Sequence, residues 1–275
     1  MAELHIPRTL PEGASVIPQV RNAIAVASSK GGVGKSTVCI NTALSMARMG
    51  ASVGLLDADI YGPSVQLMTG IQQQPEITSD SRLLPVEAHG MSMMSMGFIA
   101  DENTPVVWRG PLLAQAVQQF LGQVEWGELD FLFLDLPPGT GDIPLTLSQA
   151  IALSGVVIVT TPQEVALEDV GRGIAMFEKV DVDVLGLVEN MSYYLCPHCS
   201  ERHEIFGHGG GRAFAERLGI ECLGELPMDA DIRRGGDEGT PIVIAAPESS
   251  HAQAFADLAS RILTITTELA QPGPG

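Results

Sequence analysis

The stretch Lys30-Gly31-Gly32-Val33-Gly34-Lys35-Ser36-Thr37 constrains this chain more than any other feature. It follows the apolar run Ile24–Ala27. It precedes Thr37–Met49, where apolar residues recur at helical spacing up to Gly50, a suitable C-cap. A glycine-rich turn between a buried strand and a helix lets backbone N–H groups converge on phosphate oxygens, and the helix N-terminus adds its positive end. On this pattern Gly31, Gly32, Val33 and Gly34 cradle phosphates, Lys35 reaches the β- and γ-phosphates, Ser36 ligates Mg²⁺ and Thr37 bonds the α-phosphate. Ser29 stands where the usual motif has its first glycine, and a second lysine, Lys30, precedes the glycines.

The rest of the chain repeats the strand–helix alternation. Val53–Leu56, Phe131–Leu134, Val156–Thr160, Val184–Val188 and Cys222–Leu226 read as buried strands. Ile143–Ala152, Val165–Val180, Arg212–Leu218 and Ala252–Leu269 read as helices. Alternation of this kind predicts an α/β fold, a doubly wound, mostly parallel sheet with helices on both faces. Residues 82–98 break the pattern, and two short runs around Ala88-His89-Gly90 suggest an inserted hairpin. With no internal repeat and no linker, the reading is an extended arm over 1–20, one domain over 21–270 with a Cys-x-x-Cys loop at 191–208, and a tail at 271–275.

Two strands end in carboxylates. Phe131–Leu134 runs into Asp135, positioned to hold Mg²⁺ through water. The loop Pro137-Pro138-Gly139-Thr140-Gly141-Asp142 follows it and could sense a γ-phosphate. Val53–Leu56 leads to Asp57 and Asp59, and Asp59 is the candidate for orienting or deprotonating an attacking water. Any single Asp after a strand is otherwise a helix cap.

Composition closes off several function classes. Fifteen basic against 33 acidic residues give a net charge of −18, which disfavours nucleic acid and anionic lipid as partners. No apolar run reaches the length of a membrane span. Met1–Val20 lacks a basic segment followed by an apolar one, so no signal peptide is expected, and four cysteines are too few for a disulfide scaffold. The expectation is a soluble, cytoplasmic protein.

The sequence resembles the deviant Walker A ATPases of the MinD/ParA class, in which a lysine at the position of Lys30 reaches the nucleotide of a partner subunit. The resemblance therefore implies an ATP-sandwich homodimer. Within that class it is similar to the Mrp/ApbC-type iron–sulfur cluster carriers, over roughly residues 20–265. The matching residues are Leu56-Asp57-Ala58-Asp59-Ile60-Tyr61-Gly62-Pro63-Ser64, Val107-Trp108-Arg109-Gly110-Pro111, Asp135–Asp142, and Cys196-Pro197-His198-Cys199 before Ile205-Phe206-Gly207. The resemblance implies slow ATP hydrolysis and a labile [4Fe–4S] cluster, received from a cluster scaffold and handed to apo iron–sulfur proteins. It also implies that Asn190 reads the adenine edge, with Pro227 and Met228 near the base. Many relatives carry an N-terminal domain or cysteine cluster; residues 1–20 contain no cysteine, so no second cluster is expected there.

Cys196 and Cys199 can chelate one soft metal centre but cannot complete four ligands, whereas two copies of the pair can. Three rivals use the same residues. Four thiolates could hold a structural Zn²⁺. Cys-Pro-His-Cys also occurs in thiol oxidants, though there it should open a helix. His203 and His208 could complete a site within one chain. Cys39 and Cys222 read as buried small hydrophobes. Met91, Met93, Met94 and Met96 read as core rather than as a partner surface, and Arg109 could face nucleotide or a subunit interface. In Ala252–Leu269 the apolar residues form a core-facing stripe, unlike the basic amphipathic anchor of a membrane-positioning relative.

Overall fold

The computed structural model describes residues 6–10, 16–60, 62–98, 110–140, 144–146, 148, 151–207 and 209–271, with the backbone alone over 110–114. Tyr61, Trp108, Arg109, Gly141, Asp142 and His208 lie outside the described residues.

The strands are β1 (Val20–Ala27), β2 (Val53–Asp57), β3 (Val86–Ala88), β4 (Met91–Ser95), β5 (Leu129–Asp135), β6 (Gly155–Thr160), β7 (Val184–Leu195), β8 (Arg202–His203) and β9 (Cys222–Pro227). The helices are α1 (Lys35–Arg48), α2 (Val65–Thr69), α3 (Gly110–Gln123), α4 (Glu164–Glu178), α5 (Gly210–Leu218), α6 (Ala230–Asp237), α7 (Ile242–Ala245) and α8 (Ser250–Leu269). The sheet order is β3-β4-β2-β5-β1-β6-β7-β8, with β9 also paired to β7. Strands β4, β2, β5, β1, β6, β7 and β9 run parallel, while β3 and β8 pair antiparallel to their neighbours.

Alternate residues of each central strand point to opposite faces, and both faces are covered. Phe131 and Phe133 of β5 join Ile24 and Val26 of β1 in a core roofed by α1 and α8. Leu132 and Leu134 join Ala23, Ala25 and Ala27 in a second core under α3, α4 and α5. The β5 strand thus reads as a continuous apolar run because each side chain has a core to enter. Phe255, Leu258, Ala259 and Ile262 carry α8 into the first core, with Leu263 and Ile265 partly buried against it, whereas Leu269 at the helix end is exposed and falls outside the stripe. Ser249 caps that helix, accepting from the Ala252 N–H at 3.1 Å.

Three expectations need adjustment. The hairpin over 82–98 forms, and its turn residues His89 and Gly90 both hold positive φ, as a tight two-residue turn requires. It is no insertion, however. Strand β4 pairs parallel with β2, so the hairpin extends the main sheet, and its four methionines are buried in the two cores. The helix expected over 143–152 is shorter: 144–146 and 148 are helical, but the chain leaves helix by Ile151 to enter β6. The described parts of the arm, residues 6–10 and 16–19, are docked on the domain. Ile6, Leu10 and Ile17 are buried, and the Thr9 hydroxyl donates to Asn22 of β1 at 2.8 Å.

Phe133 lies on the central strand and is fully buried. Phe133→Ala should lower the unfolding free energy by about 3–5 kcal/mol, read as a shifted midpoint in urea unfolding.

Candidate functional site

Strands β1, β2 and β5 are in register so that Asp57, Asp135 and Val26 lie side by side at their carboxyl ends. This is where open parallel sheets bind ligands. The loop leaving β1 turns at Gly32 and Gly34, at φ +80° and +82°, and α1 begins at Lys35. The left-handed turn at Gly34 favours glycine, and a Cβ there would run into the Asn190 amide.

Lys35 extends over the end of β5, and its Nζ lies 2.5 Å from Asp135 Oδ1. Ser36 Oγ donates to the other carboxylate oxygen at 2.6 Å. Asp135 is fully buried and Lys35 is 7 % exposed. Burial pulls the Asp135 carboxyl above its usual pKa, against the Lys35 charge and the hydrogen bonds from Lys35 and Ser36. A cavity of about 300 Å³ opens here, lined by Lys30, Gly31, Gly32, Gly34, Lys35, Ser36, Thr37 and Asp59. Ser36 lines it and donates to the Asp135 carboxylate, and a hydroxyl beside a carboxylate is an oxygen donor set suited to Mg²⁺.

Asp57, which closes β2, and Asp59, just beyond it, play different parts. Asp59 lines the cavity. Asp57 does not; it accepts from the N–H groups of Asp59, Ser64 and Val65 at 3.0–3.1 Å, and so holds the turn leading into α2. Burial, reinforced by the charge of Asp135, raises the Asp57 pKa to about 7.

Asn190, Pro227 and Met228 come together in the fold. They line a second cavity of about 390 Å³ with Gly34 and Thr37, next to the phosphate loop. Asn190 Nδ2 donates to the Val33 carbonyl at 2.8 Å, so one amide hydrogen braces the loop and the carbonyl oxygen remains as an acceptor. Sequence reasoning missed Met191, Tyr194, Ile232 and Arg233 in this cavity. Helix α6, which brings Ile232 and Arg233, carries two glycines and little apolar periodicity, so only its N-cap Asp229 signalled it.

Lys30 stands at the cavity rim, 39 % exposed. Its Nζ lies 2.8 Å from Asp169 Oδ2 and 2.9 Å from the Val165 carbonyl of α4. Within one chain it is therefore anchored beside the phosphate loop rather than over it.

Cys196 and Cys199 occupy the turn between β7 and β8, with Tyr194 paired to His203 and Leu195 to Arg202. The turn is closed by Cys196 N–H to the Glu201 carbonyl at 2.9 Å and Ser200 N–H to the Cys196 carbonyl at 2.8 Å. Both cysteines are free thiols; Cys196 is half-buried and Cys199 exposed. The N–H groups of His198 and Cys199, with the Cys199 thiol, draw the Cys196 pKa below its usual value. The motif opens no helix, unlike a thiol oxidant's. Among the described residues no three His, Cys, Asp or Glu side chains gather as a metal site. His203 instead lies 3.9 Å from Glu201, its ring 6.4 Å from that of Tyr194. Cys39 is buried, whereas Cys222 is only half-buried, beside Arg212 and Glu225.

Asp57 has a pH signature. Its pKa is about 7 folded against an ordinary 3.8, so the stability it lends is complete below about pH 4 and lost as pH rises through 7. Melting temperatures of the nucleotide-free protein at pH 5.5 and 8.5 should differ less in Asp57→Asn than in the wild type.

A family model for the NUBPL iron-transfer P-loop NTPases of the ParA group matches residues 19–263. An iron-sulfur cluster carrier protein of Synechocystis is 49 % identical over 266 residues, covering 95 % of this chain and 75 % of that one. The carrier protein of Pseudomonas fragi is 50 % identical over 245 residues, covering 88 % and 85 %. An Arabidopsis thaliana mitochondrial iron-sulfur protein required for NADH dehydrogenase is 49 % identical, covering 91 % and 80 %. Among solved structures, a nucleotide-binding protein of Archaeoglobus fulgidus in complex with ADP superposes with a TM-score of 0.76 at 40 % identity, covering 87 % and 93 %. The cell division ATPase MinD of Pyrococcus furiosus shares the fold, with a TM-score of 0.67 at 22 % identity over 88 % and 98 %. On the phosphate loop, the paired cysteines and these matches, the chain belongs to the NUBPL iron-transfer P-loop NTPases, the family of the iron-sulfur cluster carrier proteins.

Proposed function

We propose that the chain is an ATP-binding, slowly hydrolysing homodimeric carrier that holds a labile [4Fe–4S] cluster between subunits and transfers it to apo iron–sulfur proteins. The observation that carries this reading is the turn after β7. It presents two free thiols at a hairpin tip, on the strand that also lines the base cavity with Asn190. Two thiolates per chain leave a cluster half-ligated, and a symmetric partner supplies the rest.

The phosphate cavity suits a nucleoside triphosphate. The N–H groups of Gly31–Gly34 and the start of α1 receive the phosphates. Lys35 swings from Asp135 to the β- and γ-phosphates, so that its buried charge keeps an anionic partner throughout. Ser36 and Asp135 would hold Mg²⁺, which neutralises developing phosphate charge when bound. Asp59 orients or deprotonates the attacking water, and Thr37 bonds the α-phosphate. Adenine enters the Asn190–Pro227–Met228 cavity and meets the free Asn190 acceptor. Lys30 leaves Asp169, an exposed pairing worth little in water, and reaches the partner's nucleotide. A cluster scaffold is the donor, and the free thiols suit a reducing compartment such as the cytoplasm.

A zinc-linked dimer that uses nucleotide as a switch draws on the same four thiolates. A DNA- or membrane-positioning ATPase is disfavoured by the net charge of −18 and by α8, whose apolar stripe is spent on the core. Among the described residues no helix is long and apolar enough to cross a membrane.

Iron, sulfide and zinc per chain, measured after anaerobic reconstitution, test the carrier reading. About four iron and four sulfide per two chains are expected; zinc without sulfide would replace the carrier with the zinc-linked dimer. Cys196→Ser should abolish cluster loading and leave ATP binding intact. Lys35→Ala should abolish tight ATP binding, measured by calorimetry, and an unchanged affinity would sink the phosphate-loop assignment.

A further inference from the structure

Strand β7 is irregular between the nucleotide cavity and the cysteines. From Glu189, paired with Glu225, to Tyr193, paired with Pro227, it advances four residues while β9 advances two. The surplus bulges from the ladder. Met191 within it holds φ at +55°, a left-handed conformation rare for a long side chain.

Each residue of this bulge grips something different. Glu189 is fully buried, and its carboxylate accepts from Ser192 Oγ at 2.6 Å and from the Gly211 N–H in the first turn of α5. Asn190 braces the Val33 carbonyl of the phosphate loop at 2.8 Å. Met191 lines the base cavity and also a neighbouring cavity walled by Lys30–Val33 and Phe206. The Tyr193 carbonyl accepts from the Met228 N–H at 2.7 Å, which ties the end of the bulge to the base cavity's far wall. The cysteine-bearing segment is thus held at both ends by one carboxylate: Glu189 meets Ser192 before the cysteines and Gly211 after them.

We propose that the Glu189–Ser192 bulge is the element through which an occupied base cavity sets the geometry of the Cys196–Cys199 turn, with Glu189 and Ser192 as its positioning residues. The inference rests on the reading of the chain as a nucleotide-binding cluster carrier and adds the route between the two sites. The Asn190 amide sits so close to Gly34 that a Cβ there would meet it, and it holds the Val33 carbonyl, so a ligand seated against Asn190 and Met191 presses on the bulge that carries both side chains. Beyond the bulge, Tyr194 and Leu195 are paired with His203 and Arg202, so the hairpin carries the displacement to Cys196 as a stiff body. Gly211 passes the same movement to the returning chain, and the spacing and exposure of the two sulfurs change together.

The test is read on thiols, without iron. In the metal-free full-length protein, iodoacetamide alkylation of Cys196 and Cys199 is followed by peptide mass spectrometry with and without Mg·ATP. In the wild type ATP should change both rates about fivefold or more, a usual size for coupling between sites. Ser192→Ala and Glu189→Gln should bring that ratio close to one while holding ATP affinity within about twofold of wild type, and Ser192→Thr should restore it. A ratio near one in the wild type at saturating ATP overturns the inference. So does a wild-type ratio in both variants, which would mean that the partner subunit shields the thiols directly. A loss of ATP affinity in step with the ratio also overturns it, since the bulge would then merely build the cavity. Failure of the wild type to load iron would sink the carrier reading and leave the alkylation result standing.

Discussion

Asp135 is a fully buried carboxylate, and it is tolerated there because Lys35 and Ser36 meet it. Removing a carboxylate from water costs several kcal/mol, and an ammonium in direct contact offsets that cost only when the geometry is close. The pair demands that β1 and β5 lie side by side, that the loop after β1 turn back over β5, and that α1 start at Lys35. Parallel pairing of Val26 with Asp135 and the left-handed turn at Gly34 meet these demands. The ion pair also makes the site responsive, since an arriving phosphate and its metal would divide between them two partners that now satisfy each other.

The two cores explain why this responsiveness stays local. Phe131 and Phe133 fill one face of β5 and Leu132 and Leu134 the other, so the strand has no freedom to shift. Close packing resists small displacements. At the carboxyl ends of the strands loops replace these packed layers. Strand β7 differs from the rest because it continues beyond the layers, past Asn190, to the cysteine turn. It is the one covalent path in the described structure that leads directly from the cavity beside Asn190 to the thiols.

Much of the site was legible because its chemistry is local in sequence. The phosphate loop announces itself by glycines between an apolar run and a helical one, and Asp135 by closing the apolar run Phe131–Leu134. Cys196 and Cys199 are legible from spacing alone. The division of labour between Asp57 and Asp59 is not, because both follow the same strand. Only the fold shows Asp57 turned inward to three backbone N–H groups and Asp59 turned to the cavity. Helices α2, α6 and α7 are too short for a periodic pattern to emerge, and Arg233 reaches the cavity beside Asn190 from one of them.

The sequence by itself determined the fold class, the glycine-rich loop between strand and helix, the acids that close β2 and β5, and the close spacing of Cys196 and Cys199, because these depend on residue type, order and short spacing. Tertiary structure decided what depends on which distant groups meet. It placed the methionine hairpin as a parallel extension of the sheet, since β4 finds its partner in β2 and not in its neighbour alone. It brought Lys30 to Asp169, far along the chain, and Asn190 to Val33. It also put the bulge of β7 between the two sites, because a register shift exists only relative to the strand alongside, here β9.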